Sequence, residues 1–157
     1  MPLHPAWAKN VARRVLAALI SPEPHKKLRP TIAAYFDTGC AYCGTQLPAK
    51  WHLDHLLSVD RGGSNHLSNR VPACPPCNED EKRDMAWMEF LRLKCPDPET
   101  YRRRLTRIES WCAQHGGAAA ATIPEPARAA YLREVQFISN AIDEAHRRLK
   151  ASLKPPR

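Results

Sequence analysis

The sequence predicts a mostly helical α+β fold: a small β-β-α core flanked by N- and C-terminal helices. Three observations carry that prediction. Two cysteine pairs, CAYC from Cys40 to Cys43 and CPPC from Cys74 to Cys77, bracket a segment of strand and turn character. Apolar residues recur at helical spacing on both sides of the bracket. The length, 157 residues, suits one domain or a small core with helical additions.

From Pro5 to Ile20, Trp7, Val11, Val15, Ala18 and Leu19 recur at helical spacing, with Lys9, Arg13 and Arg14 elsewhere on the surface. The SPEP run at Ser21 to Pro24 ends that helix, because proline cannot continue it and disfavours helical geometry in the residue before it. A second short helix follows Leu28, with Pro30 in its first turn and Ile32, Tyr35 and Phe36 buried. Gly39 turns the chain into the first cysteine pair. Between the pairs, Trp51 to Leu57 reads as a strand, Ser58 to Ser68 as a loop around Gly62-Gly63, and Asn69 to Ala73 as a returning strand. The polar run Asn78 to Arg83 suits a helix beginning just past the prolines.

Asp84 is expected to cap a helix carrying Met85, Met88 and Leu91. Asp97-Pro98 starts another, with Tyr101, Leu105, Ile108 and Cys112 on one face and Gly116-Gly117 as its stop. GGAAAAT reads as a low-complexity linker. From about Pro126 to Lys150 the stripe Tyr131, Val135, Ile138, Ile142, Ala145 and Leu149 predicts a long helix, supported by the i,i+4 pairs Asp143 with Arg147 and Glu144 with Arg148. KPPR reads as a frayed tail. The expected organisation is an N-terminal helical arm (1–37), a core (38–95) and a C-terminal helical extension (96–157).

Composition, 43% hydrophobic and 25% charged, is that of an ordinary globular chain and excludes fibrous or disordered classes. The longest apolar run near the N-terminus, Val15 to Ile20, is far short of the roughly 20 residues of a membrane span. Arg13 and Arg14 also interrupt any signal-peptide core, so a cytoplasmic protein is expected. The net charge of +8 points to a polyanionic partner. Its excess lies in the flanks, since residues 38–95 carry seven basic and seven acidic side chains.

Six cysteines would mean disulfides in a secreted chain, but two CxxC pairs in an intracellular one mean metal. Each pair sets two thiolates at the spacing a tetrahedral zinc ion accepts, and Cys40, Cys43, Cys74 and Cys77 together close its shell. With no position open to water, such an ion staples the chain. Cys95 and Cys112 have no matching partner motif and are assigned no role.

The bracketed interval holds the parts for cutting a phosphodiester, which needs a base for water and a divalent cation against the phosphate charge. His55 suits the base, with an ordinary pKa near neutrality. Asp54 offers the hard oxygen that magnesium or manganese prefers. Adjacent strand residues face opposite ways, so both serve one site only if the strand ends or twists there. Taken singly, each has a plainer reading: Asp54 paired with Arg61 or Arg70, His55 half-buried, Asn69 in a turn, Asn78 capping a helix.

Taken together, the order CAYC, LDHLL, SVDRGGSNHLSNRV and CPPCNEDEK resembles the HNH endonuclease family, with its zinc-stapled ββα-metal fold, over roughly residues 38–85. The resemblance implies Asp54 as metal-binding acid, His55 as general base, Asn69 as the residue orienting the base-bearing loop, and Asn78 as the last metal ligand. It also implies structural zinc, catalytic magnesium or manganese, and DNA cut to 5′-phosphate and 3′-hydroxyl ends. One departure is that the lysine often found three residues after the last ligand is Glu81 here, with Lys82 one place later, which bears on the closing helix. His52 could contact phosphate, whereas His66 and His115 have no counterpart.

A neutral core needs basic flanks to hold DNA. The candidate contacts are Arg102, Arg103, Arg104 and Arg107, with Arg13, Arg14, Lys26, Lys27 and Arg29 as a second cluster. A double-strand break needs two active sites, hence a homodimer or sequential cuts. Competing expectations are a catalytically inactive zinc-stapled nucleic-acid-binding module, and a nuclease subunit of a larger defence or mobile-element complex that supplies specificity.

Overall fold

Two four-residue strands lie where the cysteine pairs bracket the chain: β1 (His52–His55) and β2 (Arg70–Ala73). They pair antiparallel, with His52 opposite Ala73, Leu53 opposite Pro72, Asp54 opposite Val71 and His55 opposite Arg70. β1 is shorter than its apolar run because Leu56 and Leu57 already turn away to bond Asn69. The Pro72 carbonyl accepts from Ala41 N–H at 2.9 Å, which ties the first cysteine turn to β2.

The computed structural model describes residues 4–24, 26–83 and 85–153. The expected cap at Asp84 and the KPPR tail lie outside them. By contact the chain forms two units, Glu23–Ile123 and Met1–Pro22 with Pro124–Arg157.

In the first unit, whose chain follows helix α1 (Pro5–Ile20) of the second, α2 (Arg29–Tyr35) carries Pro30 in its first turn as expected. The interval 58–68 is more ordered than a plain loop. It holds 3-10 turns at Val59–Arg61 and Leu67–Asn69, the first ended by Gly62 at φ 92°. At Gly63 a Cβ would stand 1.8 Å from the Leu57 carbonyl oxygen, so only glycine permits this backbone approach. After CPPC the chain makes a π-helical turn, Pro76–Glu81, in which Lys82 N–H bonds Cys77 five residues back. Helix α3 (Trp87–Lys94) and helix α4 (Pro98–Gln114) follow, the latter capped by Asp97, whose Oδ1 accepts from Thr100 N–H at 2.7 Å.

The core joins Ile32 and Phe36 beside α2, Tyr42 from the cysteine turn, Val71 from β2, Phe90 and Leu91 from α3, and Ile108 and Trp111 from α4. Residues assigned by sequence to both flanks thus share one interior with the bracketed segment. Trp111 donates Nε1–H to the carbonyls of Leu67 and Arg70, at 2.9 and 3.0 Å, and so braces the chain on either side of Asn69.

GGAAAAT is not a free linker. It forms α5 (Gly117–Ala121) and then straps the Gly62–Ser64 turn. Ser64 N–H bonds Ala121 O at 2.8 Å, Ser64 Oγ donates to Ala120 O at 2.7 Å, and Ile123 N–H bonds Gly62 O at 2.8 Å.

In the second unit, α1 (Pro5–Ile20) packs along α6 (Glu125–Ser152). The helix runs where its sequence spacing predicts, but Trp7, Val11, Val15 and Leu19 remain exposed, Leu19 at 77%. The more covered positions include Ala8, Ala12, Leu16, Ala17 and Ile20, and the alanines among them let the helix axes come close. Asp143 pairs with Lys9 rather than Arg147, and Glu144 takes both Arg147 and Arg148. Among the described residues no helix is long and apolar enough to cross a membrane.

Candidate active site

The sulfur atoms of Cys40, Cys43, Cys74 and Cys77 all lie within 4.8 Å of one another. Cys43 Sγ and Cys74 Sγ are 3.7 Å apart, against about 3.8 Å for two thiolates at tetrahedral zinc distances. Cys40 is drawn down to about 5, first by its hydrogen bond with Cys77, and the same bond pushes Cys77 up. Four thiols this close cannot all ionise unless a cation sits among them, so spacing and donor chemistry fit a bound divalent metal. Among the described residues no other group of three or more His, Cys, Asp or Glu side chains is so placed.

Asp54 sits on β1 with Oδ2 held twice: Tyr42 Oη–H donates at 2.6 Å and Lys82 Nζ at 2.9 Å. Its ion pair is with Lys82, not with Arg61 or Arg70. Tyr42 is fully buried, and burial followed by the Asp54 charge raises its pKa, which keeps the hydroxyl a donor. Lys82, 5% exposed, also donates to the His55 carbonyl at 2.8 Å. The π-helical turn accommodates one extra residue, which accounts for the late lysine: Lys82 still reaches back to β1.

His55 ends β1 and engages different partners from Asp54, as strand alternation requires. Its Nε2 is 2.7 Å from Asn65 Oδ1 and 2.5 Å from Nη1 of Arg70, the cross-strand neighbour, which also lies 3.0 Å from Nδ1. Arg70 also bonds Asn65 Oδ1 at 2.9 Å and Glu23 at 3.1 Å. Burial, then the Arg70 charge, pushes His55 down to about 4, so the imidazole is neutral at physiological pH. A neutral ring is the form that can accept a proton, and a value this far below neutrality makes it a weaker base than an ordinary histidine.

Asn69 is buried and fully bonded. Its Oδ1 accepts from Leu57 N–H at 2.8 Å, and its Nδ2 donates to Leu57 O at 2.9 Å and Ser64 O at 2.7 Å. It therefore clasps both ends of the turn that follows His55. Asn78 is half-buried just past Cys77, with its backbone N–H on Cys74 O at 3.1 Å, and no hydrogen bond joins its side chain to Asp54.

The remaining candidates divide. Arg103, Arg104 and Arg107 line a cleft against Phe36 to Ala41. Arg104 is engaged there, donating to Tyr42 O at 2.7 Å and Lys94 O at 3.4 Å, and Arg107 pairs with Asp37. Arg102 is exposed on α4, and Arg13 and Arg14 are exposed on α1. His52 meets Glu79 at 3.1 Å, His66 caps the Leu67–Asn69 turn, and His115 lies against Trp111 with ring centres 4.0 Å apart. Burial pushes Cys112 up to about 11, in keeping with an unreactive thiol.

Sequence reading missed Tyr42 and Asn65, and named Arg70 only as an alternative partner of Asp54 rather than as the neighbour of His55. Tyr42 carried a usable signal, because a tyrosine confined between two metal ligands must find a partner for its hydroxyl once buried. Asn65 and Arg70 carried none beyond adjacency to the motif.

Two antiparallel strands, a closing helical turn and a four-cysteine metal cluster define an HNH-like α+β fold. Residues 40–84 match the family model described as HNH endonuclease, so the resemblance read from the motif holds for this segment. A curated relative, the SPbeta prophage-derived "putative HNH endonuclease YoqL" of Bacillus subtilis (strain 168), is 32% identical over 89 residues. The match covers 49% of this chain and 36% of the relative, so the chain spans little more than a third of that protein's length. No solved structure matches.

Proposed function

We propose that the chain is a metal-dependent endonuclease that hydrolyses DNA phosphodiester bonds with His55 as general base. The observation that carries this reading is the half-buried His55 imidazole at the end of β1, beside a carboxylate anchored through one oxygen, inside the HNH-matched segment. His55 takes the proton of the water that attacks phosphorus. Asn69 holds the following turn so that the base keeps its place.

Asp54 and Asn78 are the residues that would hold magnesium or manganese. Oδ1 of Asp54 has no protein donor among the described residues, and the Asn78 side chain is partly open, so both have capacity for a hard cation. When bound, that cation neutralises charge on the scissile phosphate and the leaving 3′ oxygen. Zinc suits the four thiolates and serves as a staple apart from the chemistry.

Residues 38–95 act as the nuclease core in this reading. The segments 1–37 and 96–157 add charge, with Arg102, Arg103, Arg107, Arg13 and Arg14 on backbone phosphates and Arg104 chiefly holding the cysteine turn. The prophage origin of the relative favours a mobile-element or defence setting in the cytoplasm, with a second copy or a larger complex supplying specificity.

The test is supercoiled plasmid incubated with purified protein and magnesium, manganese or chelator. Cutting with either cation and none with chelator is expected; intact plasmid under every cation overturns the proposal.

A further inference from the structure

One side chain touches both the cysteine cluster's turn and the carboxylate of β1. Tyr42 lies between Cys40 and Cys43, is fully buried, and places its hydroxyl 2.6 Å from Asp54 Oδ2. It is fixed on every side. Its carbonyl accepts from Arg104 at 2.7 Å, its ring meets Phe90 edge-on with centres 5.1 Å apart, and the preceding residue, Ala41, is bonded to β2 through Pro72 O at 2.9 Å. Lys82 supplies the second donor to Oδ2, at 2.9 Å.

A carboxylate turns freely about its last torsion unless something holds it. Here both donors fall on Oδ2, and among the described residues Oδ1 has no protein donor. The Asp54 side chain keeps 12% of its surface exposed, so the carboxylate is not sealed off from solvent. The shape of the CAYC turn therefore sets the direction in which Oδ1 points.

We infer that Tyr42 is a positioning residue that couples the cysteine metal site to the cation-binding carboxylate, presenting Asp54 Oδ1 as a single, pre-aimed ligand. This rests on the reading of Asp54 as a cation ligand. Groups that orient a ligand from behind are commonly worth about 10- to 100-fold in metal affinity, and with Lys82 still in place the lower end is expected here.

The experiment uses the full, metal-loaded chain and follows manganese binding through the electron paramagnetic resonance signal of the free ion. Wild type, Tyr42→Phe, Asp54→Asn and the double variant are compared, each checked for cysteine-bound metal and melting temperature. Tyr42→Phe is expected to retain the cysteine-bound metal yet bind manganese about tenfold more weakly, and to have no further effect in the Asp54→Asn background. A purely structural tyrosine would lower the melting temperature without that selective shift.

Unchanged manganese affinity in Tyr42→Phe, with Asp54→Asn impaired, overturns the coupling alone. Normal binding by Asp54→Asn overturns the ligand assignment and the coupling with it. Should Tyr42→Phe lose its cysteine-bound metal, wild type carrying 3-fluorotyrosine decides. Its Tyr42 resonance, assigned by elimination with Tyr35→Phe, Tyr101→Phe and Tyr131→Phe, is expected to shift on magnesium titration and not to shift in Asp54→Asn. No shift in wild type overturns the proposal.

Discussion

The two ends of the HNH-matched segment are held by opposite means. At the cysteine end four thiols converge, and their charges are compatible only around a cation. At the loop end every tie is a bond within the chain: Asn69 to Leu57 and Ser64, Ala120, Ala121 and Ile123 to the Gly62–Ser64 turn, and Trp111 to Leu67 and Arg70. The first arrangement fails in one step when the ion leaves. The second spreads its stability over many small contributions, and loosens gradually.

The largest expected effect is at the cysteine end. Structural zinc contributes about 10–16 kcal/mol in small zinc-dependent folds, so a chelator, or Cys74→Ser, should collapse the amide dispersion of residues 23–123 in NMR spectra. Native dispersion after complete metal removal would mean that the loop end carries the fold alone.

Asn69→Ala comes next. Each buried group left without a partner costs about 1–3 kcal/mol, and this change strips partners from both Leu57 and Ser64. A lowered melting temperature with the cysteine-bound metal retained would sharpen the contrast; loss of the metal as well would erase it. Gly63→Ala should cost about 1–3 kcal/mol by overpacking, because its Cβ would meet the Leu57 carbonyl. A melt equal to wild type would show that the turn shifts without penalty.

The smallest effect lies away from both ends, at the α4 cap. The Thr100 N–H and hydroxyl hold Asp97 below its ordinary pKa of 3.8. A lowered carboxylate pKa stabilises fully above the ordinary value, and that stabilisation fades as pH falls through the lowered one. Asp97→Ala should therefore melt earlier than wild type at neutral pH, and the gap should close as the pH falls below the ordinary carboxylate range. A gap that persists there would assign the cap to geometry rather than charge.

Much of this organisation is legible in the chain because its signals are local. Pro22 and Pro24 fix where α1 stops, Asp97-Pro98 fixes where α4 begins, and two CxxC pairs fix the metal ligands. The order of Asp54, His55, Asn69 and Asn78 within that frame carries the resemblance to the HNH family, whose model matches residues 40–84. What the sequence hides depends on distant contacts. Four consecutive alanines announce helix propensity, yet nothing in them says that Ala120 and Ala121 will accept bonds from Ser64. The late lysine resembles a defect until the π-helical turn returns it to Asp54. Trp7, Val11, Val15 and Leu19 give α1 its periodicity, while the residues it covers include Ala8, Ala12 and Ala17, whose small side chains carry little hydrophobic signal.

The most direct test of the separation between frame and chemistry is cleavage by His55→Ala, assayed beside wild type on supercoiled plasmid with manganese. Metal content, melting temperature and plasmid binding are measured on the same preparations. A cleavage rate lower by about 10²- to 10⁴-fold, with the cysteine-bound metal and DNA binding retained, is the expected result. Cutting at the wild-type rate would contradict the assignment of His55 as the base.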